Sequence, residues 1–205
     1  MYKVFKRIFD FGSSLILFIL ISPVFVALMV LVRIKIGSPI FFKQRRSGKD
    51  FKPFYIMKFR TMTEEKDENG NYLPDEVRLT KFGKFLRASS LDELPELLSI
   101  ICGDMSVIGP RPLPMVYNTY YSEREKLRFM VRGGLIPPEV LYNNVQPTWD
   151  EQLEYEASYA ENISFKLDLA IILAVFKGLT KRYSSNYGEY VRASLNEERK
   201  KGIET

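Results

Sequence analysis

From Phe11 to Val32 the chain runs almost without a polar side chain, and no later stretch repeats that pattern. At about 1.5 Å per helical residue the run is long enough to cross a hydrocarbon layer of about 30 Å. Ser22-Pro23 interrupts it near the middle. Pro23 has no amide proton and crowds the carbonyl of Ile19, so the helix is expected to kink there, with the Ser22 hydroxyl satisfying a freed backbone group. Cations flank both ends, Lys3, Lys6 and Arg7 before and Arg33 and Lys35 after, whereas a spanning helix normally shows a one-sided excess. The expected element is a re-entrant membrane helical hairpin over residues 1–36, with both ends at one face of the bilayer. A single span and a signal peptide are the alternatives, and the second lacks a small-residue cleavage pattern before Arg33.

Beyond it the apolar periodicity is shorter. Gly37-Ser38-Pro39 signals a turn, and Ile40-Phe41-Phe42 and Phe54 to Phe59 read as two strands of a hairpin around the basic stretch Lys43 to Lys52. Glu64 to Glu76 has no apolar face and reads as a mobile surface loop. Leu79 to Ala88 predicts an amphipathic helix, and a second runs from near Ser90 to about Ile101, stopped by Gly103. Gly109-Pro110-Arg111-Pro112 predicts a rigid extended loop. Tyr117 to Val131 reads as a charged helix and Gly133 to Pro147, with Asn143-Asn144, as an irregular connection. Leu153 to Ala160 and the apolar Leu167 to Leu179 predict two more helices. The expected fold is an α-rich α/β class: the hairpin, a small globular domain (37–183) of amphipathic and interfacial helices with a short β-hairpin, and a polar tail (184–205) that frays or forms a loose helix.

The 205 residues suffice for one core. The formal charge is +5, and its cations crowd residues 1–60, where only Asp10 and Asp50 oppose them. That distribution suits anionic membrane lipids beside the apolar run. A nucleic-acid partner is not expected, since no recognisable binding module accompanies the charge. There is no histidine and only Cys102 among cysteines. A Ser-His-Asp triad, a His-ligated metal, an intrachain disulfide and a paired-thiolate zinc site are thereby excluded.

Chemistry then falls to carboxylates, Lys, Tyr, Ser or Cys102. Ser90-Leu91-Asp92-Glu93-Leu94-Pro95, preceded by Arg87, has two readings. Ser90 and Glu93 fit a capping box with acids favoured by the helix dipole. Equally, Asp92 and Glu93 at a helix start can act as nucleophile and magnesium ligands, with Arg87 near a phosphate. Arg111, held between prolines, suits a bidentate phosphate contact or a structural pair. Asp104 reads as a turn residue or a metal ligand.

The assembled motifs carry a resemblance. Lys3 to Asp10, Ser22-Pro23, Gln44 with Arg46 and Gly48, Lys58-Phe59-Arg60-Thr61-Met62, Ser90 to Pro95, Gly103-Asp104-Met105-Ser106, Gly109 to Pro112 and Asn162-Ile163-Ser164-Phe165 with Leu167-Asp168-Leu169 stand together in order. In these the chain resembles the bacterial sugar transferase family of monotopic polyprenyl-phosphate phosphoglycosyl transferases, in the minimal form that is the catalytic domain alone. The resemblance implies an enzyme of the cytoplasmic face of the bacterial inner membrane that moves a sugar 1-phosphate from a UDP-sugar to polyprenyl phosphate, in a first membrane step of glycoconjugate or exopolysaccharide assembly. It implies Asp92 as the nucleophile that forms a phosphosugar-aspartate, and Glu93 beside it to bind Mg2+ or handle a proton. Arg87 and Arg111 would bind phosphate, and downstream glycosyltransferases would be partners.

One stretch departs. The family continues after its Val-Arg with Pro-Gly and then Thr-Gly-Trp-Ala-Gln and Asn-Gly-Arg elements, whereas Val131-Arg132 here lead into Gly133-Gly134-Leu135-Ile136-Pro137-Pro138-Glu139-Val140, with Tyr142-Asn143-Asn144 beyond. The expectation is an altered donor sugar with the acid pair intact. The competing functional reading is a non-catalytic membrane adaptor that binds anionic lipid and pathway partners.

Overall fold

The computed structural model describes residues 1–142, 147–181 and 192–201. The expectation for Asn143-Asn144, and that for the tail outside 192–201, fall on residues not described.

The apolar run lies within one helix, α1 (Tyr2–Lys35), which passes through Pro23 without a break in the helical assignment. A hairpin of two separate legs is not what the backbone shows. The Ser22 hydroxyl donates to Ile19 O at 2.8 Å, the carbonyl that Pro23 leaves without its usual partner. Lys6, Asp10, Ser14, Phe18, Ile21, Phe25, Leu28, Val32 and Ile36 recur every three or four residues and are turned inward. On the other faces Ile16, Ile19, Leu20, Val24, Val26 and Val30 stay exposed. The helix is long and apolar enough to cross a membrane, and only 17% of its most apolar window is buried. So large an apolar surface points to membrane association.

The polar end of the inward stripe is satisfied by the body. Asp10 accepts from the Ser106 hydroxyl (2.6 Å) and Val107 N (3.2 Å), and Lys6 pairs with Asp168 at 2.8 Å. Asp168 also accepts from the hydroxyls of Tyr2 and Tyr159. The apolar end packs with Phe41, Phe59 and Leu86.

The predicted hairpin is present as β1 (Phe41–Ser47) and β2 (Pro53–Phe59), antiparallel, with Phe42 opposite Lys58, Gln44 opposite Ile56 and Arg46 opposite Phe54. The loop after it carries a short helix, α2 (Asp75–Arg78), and an Asp67 turn. Helix α3 (Lys81–Ala88) starts at Thr80, whose hydroxyl accepts from Gly83 N. Gly83 allows α3 to lie directly on the end of β2, since a Cβ there would sit 1.9 Å from Thr61 O. The second helix is shorter than predicted. Leu91–Glu93 form a 3-10 turn, and α4 (Glu96–Cys102) follows Pro95 and ends on Gly103 at φ 95°.

Strand β3 (Met105–Ile108) pairs in parallel with β4 (Gly133–Ile136), inside the stretch expected to be irregular. The single charged helix expected from Tyr117 to Val131 is instead a 3-10 turn (Met115–Tyr120), α5 (Glu123–Lys126) and a second 3-10 turn (Leu127–Met130). A capping box between Ser122 and Glu125 restarts the chain there. Tyr117, Tyr121 and Phe129 then enter one core with Leu113, Trp149 and Leu153, and that packing overrides helical continuity. Helices α6 (Trp149–Glu161) and α7 (Phe165–Lys181) extend the two predicted ones. On α7, Ile171 is buried while Phe165, Leu169, Leu173 and Phe176 are exposed. The final helix, α8 (Leu195–Lys201), is docked rather than frayed: Leu195 is buried in the aromatic core.

Candidate active site

The acid pair lies where β2, α3 and the turn before α4 meet. Asp92 is buried, at 8% exposure, and Glu93 is half-buried. The capping-box reading does not hold. Ser90 adopts a left-handed conformation (φ 56°) and its side chain makes no cap hydrogen bond. Glu93 turns instead to β2, where the Lys58 ammonium lies 2.6 Å from its Oε1. Lys58 is also 3.3 Å from Glu96 Oε1, an ion pair without hydrogen-bond alignment. Two carboxylates, those of Glu93 and Glu96, therefore share one lysine.

Burial pushes the Asp92 carboxyl above the usual carboxylate range. Lys58 opposes that, Glu93 adds to it, and Arg87 opposes it. Glu96, 3% exposed, is pushed up to about 7, mainly by burial, with Lys58 acting the other way. Arg87 is anchored by its Nε, which donates to the Thr61 hydroxyl at 3.0 Å, leaving its other nitrogens toward solvent.

Arg111 belongs to the Pro-flanked loop, and its charge acts on Glu96. Its backbone is clamped: Arg111 N donates to Glu156 Oε1 at 3.0 Å, and Arg128 donates to Arg111 O at 2.5 Å. The Arg128–Glu156 pair behind it is fully buried, at 2.6 Å. The Arg111 side chain is exposed, its guanidinium makes no hydrogen bond among the described residues, and its charge acts on Glu96. The Pro-flanked loop thus presents an exposed cation whose charge is felt at Glu96. Asp104 is exposed with its amide in a helix-end turn, N to Ser99 O at 2.9 Å, away from the acid pair. It lines a separate open cleft of about 390 Å³ with Lys43, Tyr55 and Cys102. None of Arg87, Asp92, Glu93 and Arg111 lines that cleft.

Sequence reasoning assigned no role to Lys58, Glu96 or Arg46. The signal was present in the period-2 pattern of the hairpin. Phe42, Gln44 and Arg46 face the same way as Phe54, Ile56 and Lys58, so polar ends on that face converge on whatever covers it.

Among the described residues no group of three metal-ligating side chains converges. Mg2+ usually takes one or two protein carboxylates and completes its shell with water and substrate phosphate. Asp92 and Glu93 provide two such oxygen donors, and Glu96 Oε1 beside them is buried without a hydrogen bond. The donor set fits that ion.

A sequence model described as bacterial sugar transferase matches residues 1–182. The chain belongs to the bacterial sugar transferase family. It is 44% identical over 169 residues to the uncharacterized sugar transferase EpsL of Bacillus subtilis, covering 82% of this chain and 84% of that one. It is 32% identical to the exopolysaccharide production protein ExoY of Rhizobium meliloti, covering 82% and 81%. The UDP-glucose:undecaprenyl-phosphate glucose-1-phosphate transferase of Klebsiella pneumoniae is 36% identical over 190 residues, which are 87% of this chain and 41% of that longer protein. The chain therefore has the length of the small sugar transferases of the family and spans about two-fifths of the larger one.

Proposed function

We propose that the protein transfers a sugar 1-phosphate from a UDP-sugar to polyprenyl phosphate at the cytoplasmic face of the bacterial plasma membrane. The observation that carries this reading is Asp92, a buried carboxylate flanked by Lys58 and Arg87 in a chain of the sugar transferase family. A carboxylate shielded from water, with cations acting on it that oppose the loss of its charge, is suited to attack an electrophile rather than to serve as a surface charge.

Asp92 attacks the β-phosphorus of the donor. The bond from that phosphorus to the bridging oxygen breaks, and UMP leaves. A polyprenyl phosphate oxygen then attacks the same phosphorus and frees the Asp92 carboxylate. Arg87 and Lys58 stabilise charge on the phosphoryl oxygens in both steps. Glu93, bonded to Lys58, sets the position of that ammonium and with Asp92 would hold Mg2+, which when bound neutralises diphosphate charge.

The fold supports delivery from one membrane side. The body touches α1 near its start, through Lys6, Arg7 and Asp10, and near its end, through Val32 and Ile36. A charged body that lies along the whole helix cannot follow it across hydrocarbon, so both ends belong to one face and the helix enters without crossing. Anionic lipids suit the flanking cations. The stretch where the family pattern is lost forms β4 and the 3-10 turn Pro138–Tyr142. We assign the choice of donor sugar to it.

Purified protein given polyprenyl phosphate, Mg2+ and a panel of UDP-sugars is expected to release UMP with at least one donor, and only when the lipid is supplied for multiple turnovers. No UMP from any donor would overturn the reading.

A further inference from the structure

The family match covers residues 1–182, yet the chain beyond it carries a segment docked on the body. Leu195 is fully buried in the core that also holds Tyr117 and Leu113, and Leu113 stands two residues after Arg111. Arg192 lies over the Trp149 ring at 3.6 Å, and its Nη1 donates to Pro147 O at 2.6 Å. Trp149 Nε1 in turn donates to Ala193 O at 3.0 Å. At the other end of the segment Arg199 bridges Glu125 at 2.6 Å and Asp150 at 2.5 Å.

One contact leads from this segment to the site. Arg192 Nη2 donates to Gln152 Oε1 at 2.7 Å, which leaves the amide nitrogen of Gln152 to turn the other way. Gln152 Nε2 donates to Glu156 Oε1 at 3.1 Å, one helical turn along α6. The same Oε1 accepts from Arg111 N at 3.0 Å, and Glu156 Oε2 accepts from Arg128 Nε at 2.6 Å. Arg128 Nη2 closes the circuit on Arg111 O at 2.5 Å. Both backbone polar groups of Arg111 are therefore held by one buried ion pair, and Arg192 orients the amide that completes it. Gln152 is 4% exposed and Glu156 fully buried, which keeps water from replacing a lost donor. Pro110 and Pro112 fix the backbone on either side of Arg111, so a shift of its amide carries the side chain with it.

Resting on the transferase reading above, with Arg111 as a phosphate-binding cation, we propose that Arg192 is a positioning residue that acts through Gln152 and Glu156 to set where the Pro-flanked loop holds Arg111. Arg192 touches no substrate, and its effect on the reaction passes through Arg111. The reaction of this chain then depends on a segment outside the part that matches the family.

The test uses the full chain in lipid nanodiscs. Arg192→Met keeps an apolar contact on Trp149 and removes the donors, Arg192→Lys restores one donor, and Arg199→Met loosens the same helix without touching Gln152. With an accepted UDP-sugar, Arg192→Met is expected to lower kcat/KM by about fivefold or more, Arg192→Lys to recover part of that loss, and Arg199→Met to change it by less than about twofold. In an Arg111→Ala background the loss from Arg192→Met is expected to vanish, because both changes remove one interaction. A second measurement needs no turnover. Hydrogen–deuterium exchange of the Arg111 amide is expected to quicken by about tenfold or more in Arg192→Met and to stay within about twofold of wild type in Arg199→Met. Exchange that responds in this way in a protein that turns over no donor would remove the transferase reading and leave the link from Arg192 to Arg111. Unchanged exchange at Arg111, losses that simply multiply in the double variant, or an equal loss in Arg199→Met would overturn the proposal.

Discussion

At the scale of single residues the site resolves a conflict between burial and charge. Burial raises the Asp92 carboxyl above the usual carboxylate range while Lys58 and Arg87 oppose that rise, the setting in which the proposed nucleophile would work. A different acid, Glu139, carries the same conflict with burial prevailing over the arginines Arg111 and Arg128 that oppose it. Glu139 stands in the divergent stretch with Oε2 buried and unpaired, and burial together with the nearby Glu156 raises its pKa. Between its ordinary value, about 4.5, and the raised one, the folded protein holds a proton that the unfolded chain has released. Its contribution to stability is therefore greatest at low pH and declines as pH climbs through that window. Glu139→Gln is expected to flatten this part of the Tm–pH profile and to raise Tm by several degrees near pH 8, read by circular dichroism; an equal or lower Tm there would contradict the assignment. The acid pair, Arg87 and Arg111 could be singled out as candidates because each lies in a compact motif, although spacing left a structural reading open for the acid pair and for Arg111 and the resemblance supplied their roles. Lys58 was not singled out, because its partners, Glu93 and Glu96, lie outside the hairpin and only the packing of the turn and α4 against β2 brings them to it.

Among elements, those with strong periodicity were legible: α1, the β1–β2 hairpin, α3, α6 and α7 stand where the apolar pattern places them. The errors share one physical cause. Residues 115–131 alternate aromatic and charged side chains that read as a helix, but packing of Tyr117, Tyr121 and Phe129 around Trp149 breaks the run into turns. Strands β3 and β4, four residues each, are specified by pairing with each other rather than by local sequence. For α1 the sequence indicated a hairpin of two legs, and the structure shows one helix that runs through Pro23 with the body along it. Single cysteines at Lys3 and Lys35, both exposed, in a Cys102→Ser background are expected to react with a membrane-impermeant maleimide in inverted vesicles and not in intact spheroplasts. Reaction of either position from the outside would establish a crossing helix.

On the scale of the whole molecule, three separate stretches of sequence bear on the acids: β2 brings Lys58, α3 and the turn that follows it bring Arg87 and the acid pair, and the Pro-flanked loop brings Arg111, whose charge acts on Glu96. The buried Arg128–Glu156 pair holds that loop from behind, and the Lys6–Asp168–Asp10 network ties α1 to the same body. A rigid body fixed along its membrane helix suits a reaction in which one substrate stays in the lipid layer. The central claim is that Asp92 becomes covalently bonded to phosphorus. Protein mixed with an accepted UDP-sugar and Mg2+ without polyprenyl phosphate, quenched, and weighed by intact mass spectrometry is predicted to gain the mass of one sugar phosphate, with a matching burst of UMP, and Asp92→Asn to gain none. No adduct on the wild-type protein under conditions that support full turnover with lipid, or an adduct that persists in Asp92→Asn, would contradict the account.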